Sequence, residues 1–463
     1  MVMIENLLCG MEMLFDNKSE TELRAQENRY RNVGLKKGNL IQNSRAESSG
    51  VSARVYKNGV YGFSSSAEYS EEKVKAVLKA ATENAIFMDN KVGKKGVKTI
   101  ALPRGKVQLY KSIEDTEQNK IIEFCKQVDD YIQKSCSGLL SRSVWYSEHS
   151  MEKIILTSNG KSGHTAVSRC TLSFGLTAET KDGIPVELYK SAGGFGSFDD
   201  NFADTSHVYK KIDELYQQIM DKREGVHAEA GYKTVILGGA LAGMLSHEAV
   251  GHTVEADLVK GGSVGGAMYG KMVASEMVNM VDFANTAFGT RAPLPIYLDD
   301  EGVEAKDAVL IKDGKLVGYM NNKELAAYYD MEPTGNARAW EYADEPLVRM
   351  RNTAILPGND KLEDMIASTD DGYYLLESGN GQAGLTGEFM FGVTMGYEIK
   401  KGKLGKALLD TTVSGVAFDM LKTVDMISDK VDWYSNGMCG KKQSMSVAMG
   451  GPQLRCKIMI GGR

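Results

Sequence analysis

One short stretch of the chain carries residue types that could hold a metal ion and activate water. Residues 246–252 read SHEAVGH and contain His247, Glu248 and His252. Imidazole nitrogens are common zinc ligands, and in zinc proteases a glutamate beside a ligand acts as general base. The stretch therefore predicts His247 and His252 as zinc ligands and Glu248 as the catalytic base.

The spacing of the two histidines constrains the helix that carries them. In the common HExxH motif the histidines are four residues apart and share one helix face. Here they are five apart, which corresponds to about 500° of rotation, so the rings would diverge by roughly 140° on a regular α-helix. One metal can bind both rings only if the helix widens into a π-bulge or ends between them, and Gly251 is expected to permit that break. The alternative is a helix with two unrelated histidines, one capping and one in the core.

A third ligand has to come from a distant part of the sequence. The candidates are Cys439, Cys456 or a carboxylate. Cys439 lies between glycines and precedes two lysines that would favour its thiolate form. Cys456 lies in a strand-like run, where a buried free cysteine is the usual outcome. The spacing alone leaves the choice open.

Other short features have competing interpretations. Residues 265–272 (GGAMYGKM) nearly match a phosphate-binding loop but lack its final hydroxyl residue, so their glycines more simply allow close backbone contact. Glu255 and Asp257 could orient the histidine rings or could be structural. The acidic run at 299–301 is most simply a turn, and the other four histidines have no metal-like neighbours.

The elements around the motif predict three regions. The first, residues 1–95, is a small α/β domain: helical spacing to about residue 35, a hairpin at Asn58-Gly59 and a helix capped by Ser70. The second, residues 96–225, is a linking domain with helices near 115–135 and 206–223 around an antiparallel meander. The third, residues 226–463, is β-rich and carries the motif helix.

Composition limits the classes of function. The chain has 463 residues, 42% hydrophobic and 25% charged, as in a soluble globular protein with two or three domains. A net charge of −6 without a long basic run argues against nucleic acid as the main partner. No stretch resembles a secretory signal or a membrane span. Six scattered cysteines without a CxxC pair favour a reducing, cytoplasmic location.

Several stretches together resemble the TldD/PmbA family of zinc metalloproteases, which has also carried the label "modulator of DNA gyrase". They are residues 245–257, 270–282 and 348–358, together with the ending that begins at Cys439. The hairpin at 50–63 is similar to the family's first domain. The resemblance covers nearly the whole chain, and its motifs in the C-terminal half are specific.

The resemblance implies an α+β fold with a small N-terminal α/β domain, a central region of antiparallel strands and helices, and a barrel-like C-terminal domain. It implies Zn²⁺ held by His247, His252 and Cys439, with Glu248 as catalytic base and peptides as substrates. It further implies a homodimer, or a heterodimer with a PmbA/TldE-type chain. One departure concerns the turn after Cys439: the family's usual CGKxGQ lacks a glycine here between Lys442 and Gln443.

Two functions from different classes remain. The first is a zinc-dependent peptidase that acts on small or unfolded peptides. The second is a non-catalytic partner or regulatory subunit of a TldD/PmbA-type complex. The family's older label, modulator of DNA gyrase, describes a role of this kind. An intact Glu248 favours the peptidase, because a purely structural zinc site needs no general base.

Overall fold

The computed structural model describes residue 8 and residues 10–94, 96–109 and 115–461. It contains 25% helix and 45% strand. The predicted α+β class is confirmed. No helix among the described residues is both long and apolar enough to cross a membrane.

The first half of the chain builds one seven-stranded sheet. Its strands are β1 (Glu20–Lys36), β2 (Asn39–Lys57), β3 (Val60–Ser66), β4 (Gly105–Leu109), β5 (Ser141–Thr157), β6 (Lys161–Glu179) and β7 (Pro185–Phe195). The order is β3-β2-β1-β5-β6, and both β4 and β7 pair with β6. Asn58 and Gly59 both have positive φ, as a tight hairpin turn between β2 and β3 requires, so the predicted hairpin is confirmed.

Four helices whose residues are all described accompany this sheet. They are α1 (Glu71–Val92), α2 (Gln118–Ser135), α3 (Phe198–Phe202) and α4 (Ser206–Arg223), and a 3-10 turn at Met11–Leu14 precedes them. Ser70 caps α1 as predicted, because its side chain accepts a hydrogen bond from the Lys73 N–H. The apolar stripes of α2 and α4 share one core with β5, β6 and β7.

The predicted helical spacing before residue 35 is wrong for the described part of that segment. Residues 20–36 form β1, a central strand between β2 and β5. Residues 21–28 are all buried. Leu23 and Ala25 lie in an apolar core, whereas Arg24 and Gln26 on the other face are buried by hydrogen bonds to residues 340–344. Charged and polar residues are rare in buried strands, so the sequence did not indicate one here. Residues 1–7 and 9 of the predicted segment lie outside the described residues.

The second half of the chain forms an eleven-stranded sheet, two small two-stranded sheets and several short helices. Its strands are β8 (Gly231–Leu237), β9 (Met280–Phe283), β10 (Thr286–Ala287), β11 (Thr290–Arg291), β12 (Ala308–Lys312), β13 (Lys315–Leu316), β14 (Ala337–Arg338), β15 (Leu347–Val348), β16 (Asn352–Ile355), β17 (Asp371–Ala383), β18 (Glu388–Lys400), β19 (Lys403–Ala407), β20 (Thr411–Val416), β21 (Met426–Cys439) and β22 (Met445–Gly461). Its helices are α5 (Gly239–Met244), α6 (Ala256–Lys260), α7 (Val264–Met268), α8 (Lys323–Tyr329), α9 (Leu362–Ala367) and α10 (Ala417–Leu421).

Five of these strands close into a barrel, as the family resemblance implied. The ring runs β8-β17-β18-β20-β22 and closes because β22 pairs with both β20 and β8. After β8 the chain forms α5, then a π-helical segment (Leu245–Gly251) and a 3-10 turn (His252–Val254). Leu245 and Val250 share one apolar core with barrel residues such as Leu375 and Phe391. The helix that carries the HExxxH motif is therefore fixed by the barrel core.

A buried acidic segment joins the second half of the chain to the first sheet. Asp299, Asp300 and Glu301 are 2%, 4% and 0% exposed. Glu301 accepts a hydrogen bond from Arg54 Nη2 at 2.5 Å, and Asp300 accepts one from Lys153 Nζ at 2.7 Å. The interpretation of this run as a simple turn was incomplete, because its cationic partners lie far away in the sequence. A buried carboxylate is costly without its cationic partner. These pairs therefore fix the position of the second half of the chain against the first sheet.

Glu301→Ala should lower the free energy of unfolding by about 3 kcal/mol, because it leaves buried donors on Arg54 and at the Lys323 N–H without their acceptor. Urea unfolding followed by tryptophan fluorescence measures the change. The control is Glu332→Ala, whose side chain is 87% exposed in its pair with Lys306 and should change stability by less than about 0.5 kcal/mol. Equal unfolding midpoints for the two variants would contradict this account.

Candidate metal centre

The HExxxH segment is π-helical rather than α-helical. The backbone N–H of His252 donates to the carbonyl oxygen of His247, five residues earlier. The hydrogen bonds of a π-helix span five residues, which is the spacing of the two histidines. Both rings therefore lie on one side of the helix. The regular helix ends soon afterwards, since Glu255 has extended backbone angles (φ −73°, ψ 122°). The predicted widening of this helix is confirmed.

Gly251 has a different role from the one predicted. Its backbone angles (φ −53°, ψ −52°) are ordinary helical values that any residue adopts. A Cβ atom at this position would lie 2.2 Å from the Met350 Sδ atom. The glycine is therefore needed for close packing against Met350 and does not break the helix.

Three side chains converge at this helix. The ligand atoms of His247, His252 and Cys439 all lie within 4.8 Å of one another. Cys439 Sγ is 3.4 Å from His252 Nε2, and the two imidazole rings are nearly perpendicular, with centroids 5.2 Å apart. Cys439 ends β21, far from the helix in sequence. Among the described residues this is the only such group of three or more potential metal ligands.

The donor atoms fit a metal ion. His247 is 0% exposed, and neither of its ring nitrogens has a hydrogen-bond partner in the described part of the chain. Buried polar atoms are normally satisfied, so two unpartnered nitrogens on one ring indicate a missing ligand. Burial alone would raise the pKa of the Cys439 thiol, but the neighbouring His247 and His252 imidazoles lower it to about 4. Cys439 is therefore a thiolate at neutral pH, the form that binds metals.

Glu248 faces the same group. Its carboxylate oxygens lie 4.0 Å from His247 Nε2 and 3.8 Å from His252 Nε2. The side chain is 25% exposed, and it accepts no hydrogen bond from the described residues. A partly exposed carboxylate that is free of other partners is suited to take a proton from water beside the cluster.

Glu255 fixes the orientation of the second histidine. The His252 Nδ1–H donates to Glu255 Oε2 at 2.7 Å, which leaves Nε2 directed at Cys439. Burial alone would lower the pKa of His252, but the contacts with Cys439 and Glu255 raise it to about 10. Asp257, the other residue considered for this role, instead forms an ion pair with Lys441 at 2.7 Å.

Sequence reasoning missed the residue that holds the Cys439 turn. Arg349 is fully buried and donates to the carbonyl oxygens of Cys439 at 2.7 Å, Gln443 at 2.8 Å and Lys441 at 3.2 Å. The only signal was its place in the stretch 348–358, which carried the family resemblance. Three bonds from one guanidinium fix the end of β21 and with it the position of the thiolate.

The turn after Cys439 closes without the glycine that the resemblance led us to expect. Lys442 takes the left-handed conformation (φ 56°) that a glycine adopts more readily. The Gln443 N–H donates to the Lys441 carbonyl oxygen at 2.6 Å and closes the turn. The departure from the family pattern therefore places strain on one lysine and leaves Cys439 beside the histidines.

The remaining candidates lie elsewhere. Cys456 is buried in β22, paired with β8 in the barrel wall, where burial raises the pKa of its thiol. His164 pairs with Glu152, and the ring of His149 stacks on Tyr30.

The glycines after the motif allow close contact, as predicted. A Cβ atom at Gly265 would lie 2.1 Å from the Thr253 carbonyl oxygen, in the turn that follows His252. The start of this stretch therefore passes against the turn that follows the HExxxH helix, whereas Gly270 has open space around it.

Sequence models of one family match most of the chain. The PmbA/TldA metallopeptidase C-terminal domain matches residues 230–462, domain 1 matches 21–85 and the central domain matches 111–236. A metalloprotease of Methanocaldococcus jannaschii is 32% identical over 96% of this chain and 97% of its own length. The zinc metalloprotease TldD homolog of Saccharolobus solfataricus is 28% identical over 89% of this chain and 90% of its own length.

Two solved structures have the same fold. One, from Thermotoga maritima, is titled as a modulator of a DNA gyrase; it has a TM-score of 0.78 at 18% identity and covers 99% of both chains. The other is TldE from Thermococcus kodakarensis, with a TM-score of 0.74 at 17% identity and 99% of both chains covered.

Lys442→Gly should stabilise the protein by about 0.5–1 kcal/mol, because glycine adopts positive φ without the steric penalty of a Cβ atom. Thermal unfolding of the two proteins measures the difference. The matched control is Lys441→Gly, which removes the ion pair with Asp257 and should destabilise. A lower melting temperature for Lys442→Gly would contradict the assignment of strain to this turn.

Proposed function

The chain belongs to the PmbA/TldD family of metallopeptidases, and we propose that it is a zinc-dependent peptidase that hydrolyses small or unfolded peptides. The observation that carries the proposal is the convergence of His247, His252 and Cys439 beside Glu248. That the chain is a metallopeptidase follows from its family.

His247, His252 and Cys439 would hold the metal. Two imidazoles and a thiolate are a donor set that zinc prefers, and three protein ligands leave one position open for water or substrate. The relative named a zinc metalloprotease supports the choice of zinc. Bound zinc would polarise the scissile carbonyl and acidify the attacking water.

Glu248 is proposed as the general base. Its carboxylate takes a proton from the attacking water and later delivers it to the nitrogen of the leaving amine. Glu255 holds the Nδ1 proton of His252 in its hydrogen bond, so that Nε2 is the nitrogen that would give up its proton and bind the metal. Arg349 holds the backbone of Cys439 by donating to its carbonyl oxygen.

An extended peptide could bind beside the metal centre along the edge of β21. Within the described residues β21 pairs along one edge only, with β22, and its last residue is Cys439. A peptide can bind such a free edge through its own backbone, which requires an unfolded segment and little side-chain specificity.

We also propose that the chain works as a dimer, with itself or with a TldE-type chain. The TldE structure that shares this fold supports a TldE-type chain as a partner. In such a pair this chain is the catalytic member, because it keeps Glu248. The rival function, a non-catalytic regulatory subunit, has no use for that glutamate.

Glu248→Gln should reduce peptide cleavage by about 100-fold or more while zinc stays bound, because the amide cannot accept the proton but all three ligands remain. Cleavage of an unstructured fluorogenic peptide and zinc content by mass spectrometry are measured on the same sample. Removal of zinc from the wild type by a chelator is the positive control for lost activity. Undiminished cleavage by the zinc-loaded variant would falsify the proposed mechanism.

Glu255→Gln should weaken zinc binding by about 10- to 100-fold, because the ring of His252 loses a charged partner that fixes its orientation. Competition with a chromogenic chelator measures the affinity. Glu324→Gln, an ion-paired glutamate on α8, is the control and should bind zinc like the wild type. Equal affinities for the two variants would remove Glu255 from the account.

A further inference from the structure

A second concave site lies at the junction of the first sheet and the barrel. This cavity has a volume of about 770 Å³. One side is formed by β7 and α4, and the other by β17, β21 and the start of α5. A volume of this size accommodates more than one amino-acid side chain.

The cavity lies along the helix that leads to the metal centre, from Gly239 to Met244. Met244 lines it and lies three residues, less than one helical turn, before His247. Residues 432–435 of β21 line it as well, and the same strand ends at Cys439. A peptide bound at the metal centre could therefore place a nearby side chain in this cavity.

The two sides of the cavity differ in charge. On the β7 and α4 side, Lys190 pairs with Glu214 at 3.5 Å, and Lys211 donates to the Ser191 carbonyl oxygen. The barrel side contributes Glu377, Asp410 and Asp432 and no lysine or arginine. The barrel side of the cavity is thus acidic, and the lysines that line the cavity come from the opposite side.

Two of the barrel-side carboxylates have no cationic partner at ion-pair distance among the described residues. Asp410 pairs with the buried Lys222 near the end of α4. Among the described residues, Asp432 accepts only a hydrogen bond from Gln453 Nε2 at 3.2 Å, and the carboxylate of Glu377 accepts none. Burial raises the pKa of Glu377 and Asp432 in spite of the more distant Lys190 and Lys211. Each carboxylate would be stabilised by a cation that enters the cavity.

Aromatic rings complete the lining. Tyr374 and Tyr434 lie on the same side as the two carboxylates, together with Trp433, and Tyr189 lies on the β7 side. Aromatic faces pack against the aliphatic stem of a long basic side chain and attract its charged end. Carboxylates beside aromatic walls are the chemistry of a site for lysine or arginine.

We propose that this cavity is a specificity subsite that binds a basic side chain of the peptide substrate through Glu377 and Asp432. The inference rests on the proposed peptidase function, because it assumes that the bound ligand is a peptide. The subsite would give the enzyme a preference for a particular substrate side chain. Neither the metal centre nor hydrogen bonds to the peptide backbone supply such a preference.

The test measures peptide binding without cleavage. In the zinc-loaded Glu248→Gln protein, the affinity for a short acetylated and amidated Ala/Gly peptide with one lysine at a scanned position is compared with that for the norleucine analogue, by fluorescence anisotropy. At one position the lysine peptide should bind roughly 10-fold tighter, as a charge-assisted contact gives. Adding Glu377→Gln should reduce the difference to about 2-fold or less.

The control is Asp371→Asn, which removes an exposed carboxylate from the same strand, β17, and should leave the preference unchanged. A preference that is absent, or that survives both Glu377→Gln and Asp432→Asn in folded protein, overturns the proposal. A free-amine peptide without lysine that binds as tightly as the lysine peptide overturns it in favour of an amino-terminal site. A lysine preference in binding supports the subsite even if the wild type cleaves no peptide, so failure of the proposed function is distinguished from failure of this inference.

Discussion

The five-residue separation of His247 and His252 is the constraint on which the rest of the site depends. On an α-helix these rings would point apart, and the π-helical segment brings them to one side. A π-helical turn is less favourable than an α-helical one, so the surroundings must hold it. Leu245 and Val250 are buried in the barrel core, and Gly251 gives room to Met350. Packing against the closed barrel therefore stabilises the π-helical segment.

The third ligand depends on contacts that reach across the whole chain. Arg349 binds the Cys439 turn, and the side chain of Gln443 in that turn accepts a hydrogen bond from the Trp340 N–H. The carbonyl oxygen of Trp340 in turn accepts a hydrogen bond from Gln26 on the first sheet. The sheet, the loop and the turn form one continuous set of hydrogen bonds that ends at the thiolate. The N-terminal half of the chain thus contributes to the position of the metal centre without touching it.

The sequence predicted features that depend on residues close together in the chain. The cap at Ser70, the hairpin at Asn58-Gly59 and the need to widen the helix before His252 each follow from a few adjacent residues. Interactions between distant residues were not predictable. Burial on both faces concealed β1, and Gly251 is required by Met350, a residue from another part of the chain. The proposed ligand set came from the resemblance rather than from spacing, since spacing left Cys439 and Cys456 as alternatives.

The most direct test of the central claim is zinc-edge X-ray absorption on the purified, zinc-loaded protein. The account predicts a first shell with one sulfur at about 2.3 Å and two imidazole nitrogens at about 2.0–2.1 Å, with the sulfur lost in Cys439→Ser. A shell of nitrogen and oxygen alone in the wild type, or the same sulfur contribution in Cys439→Ser, would contradict it.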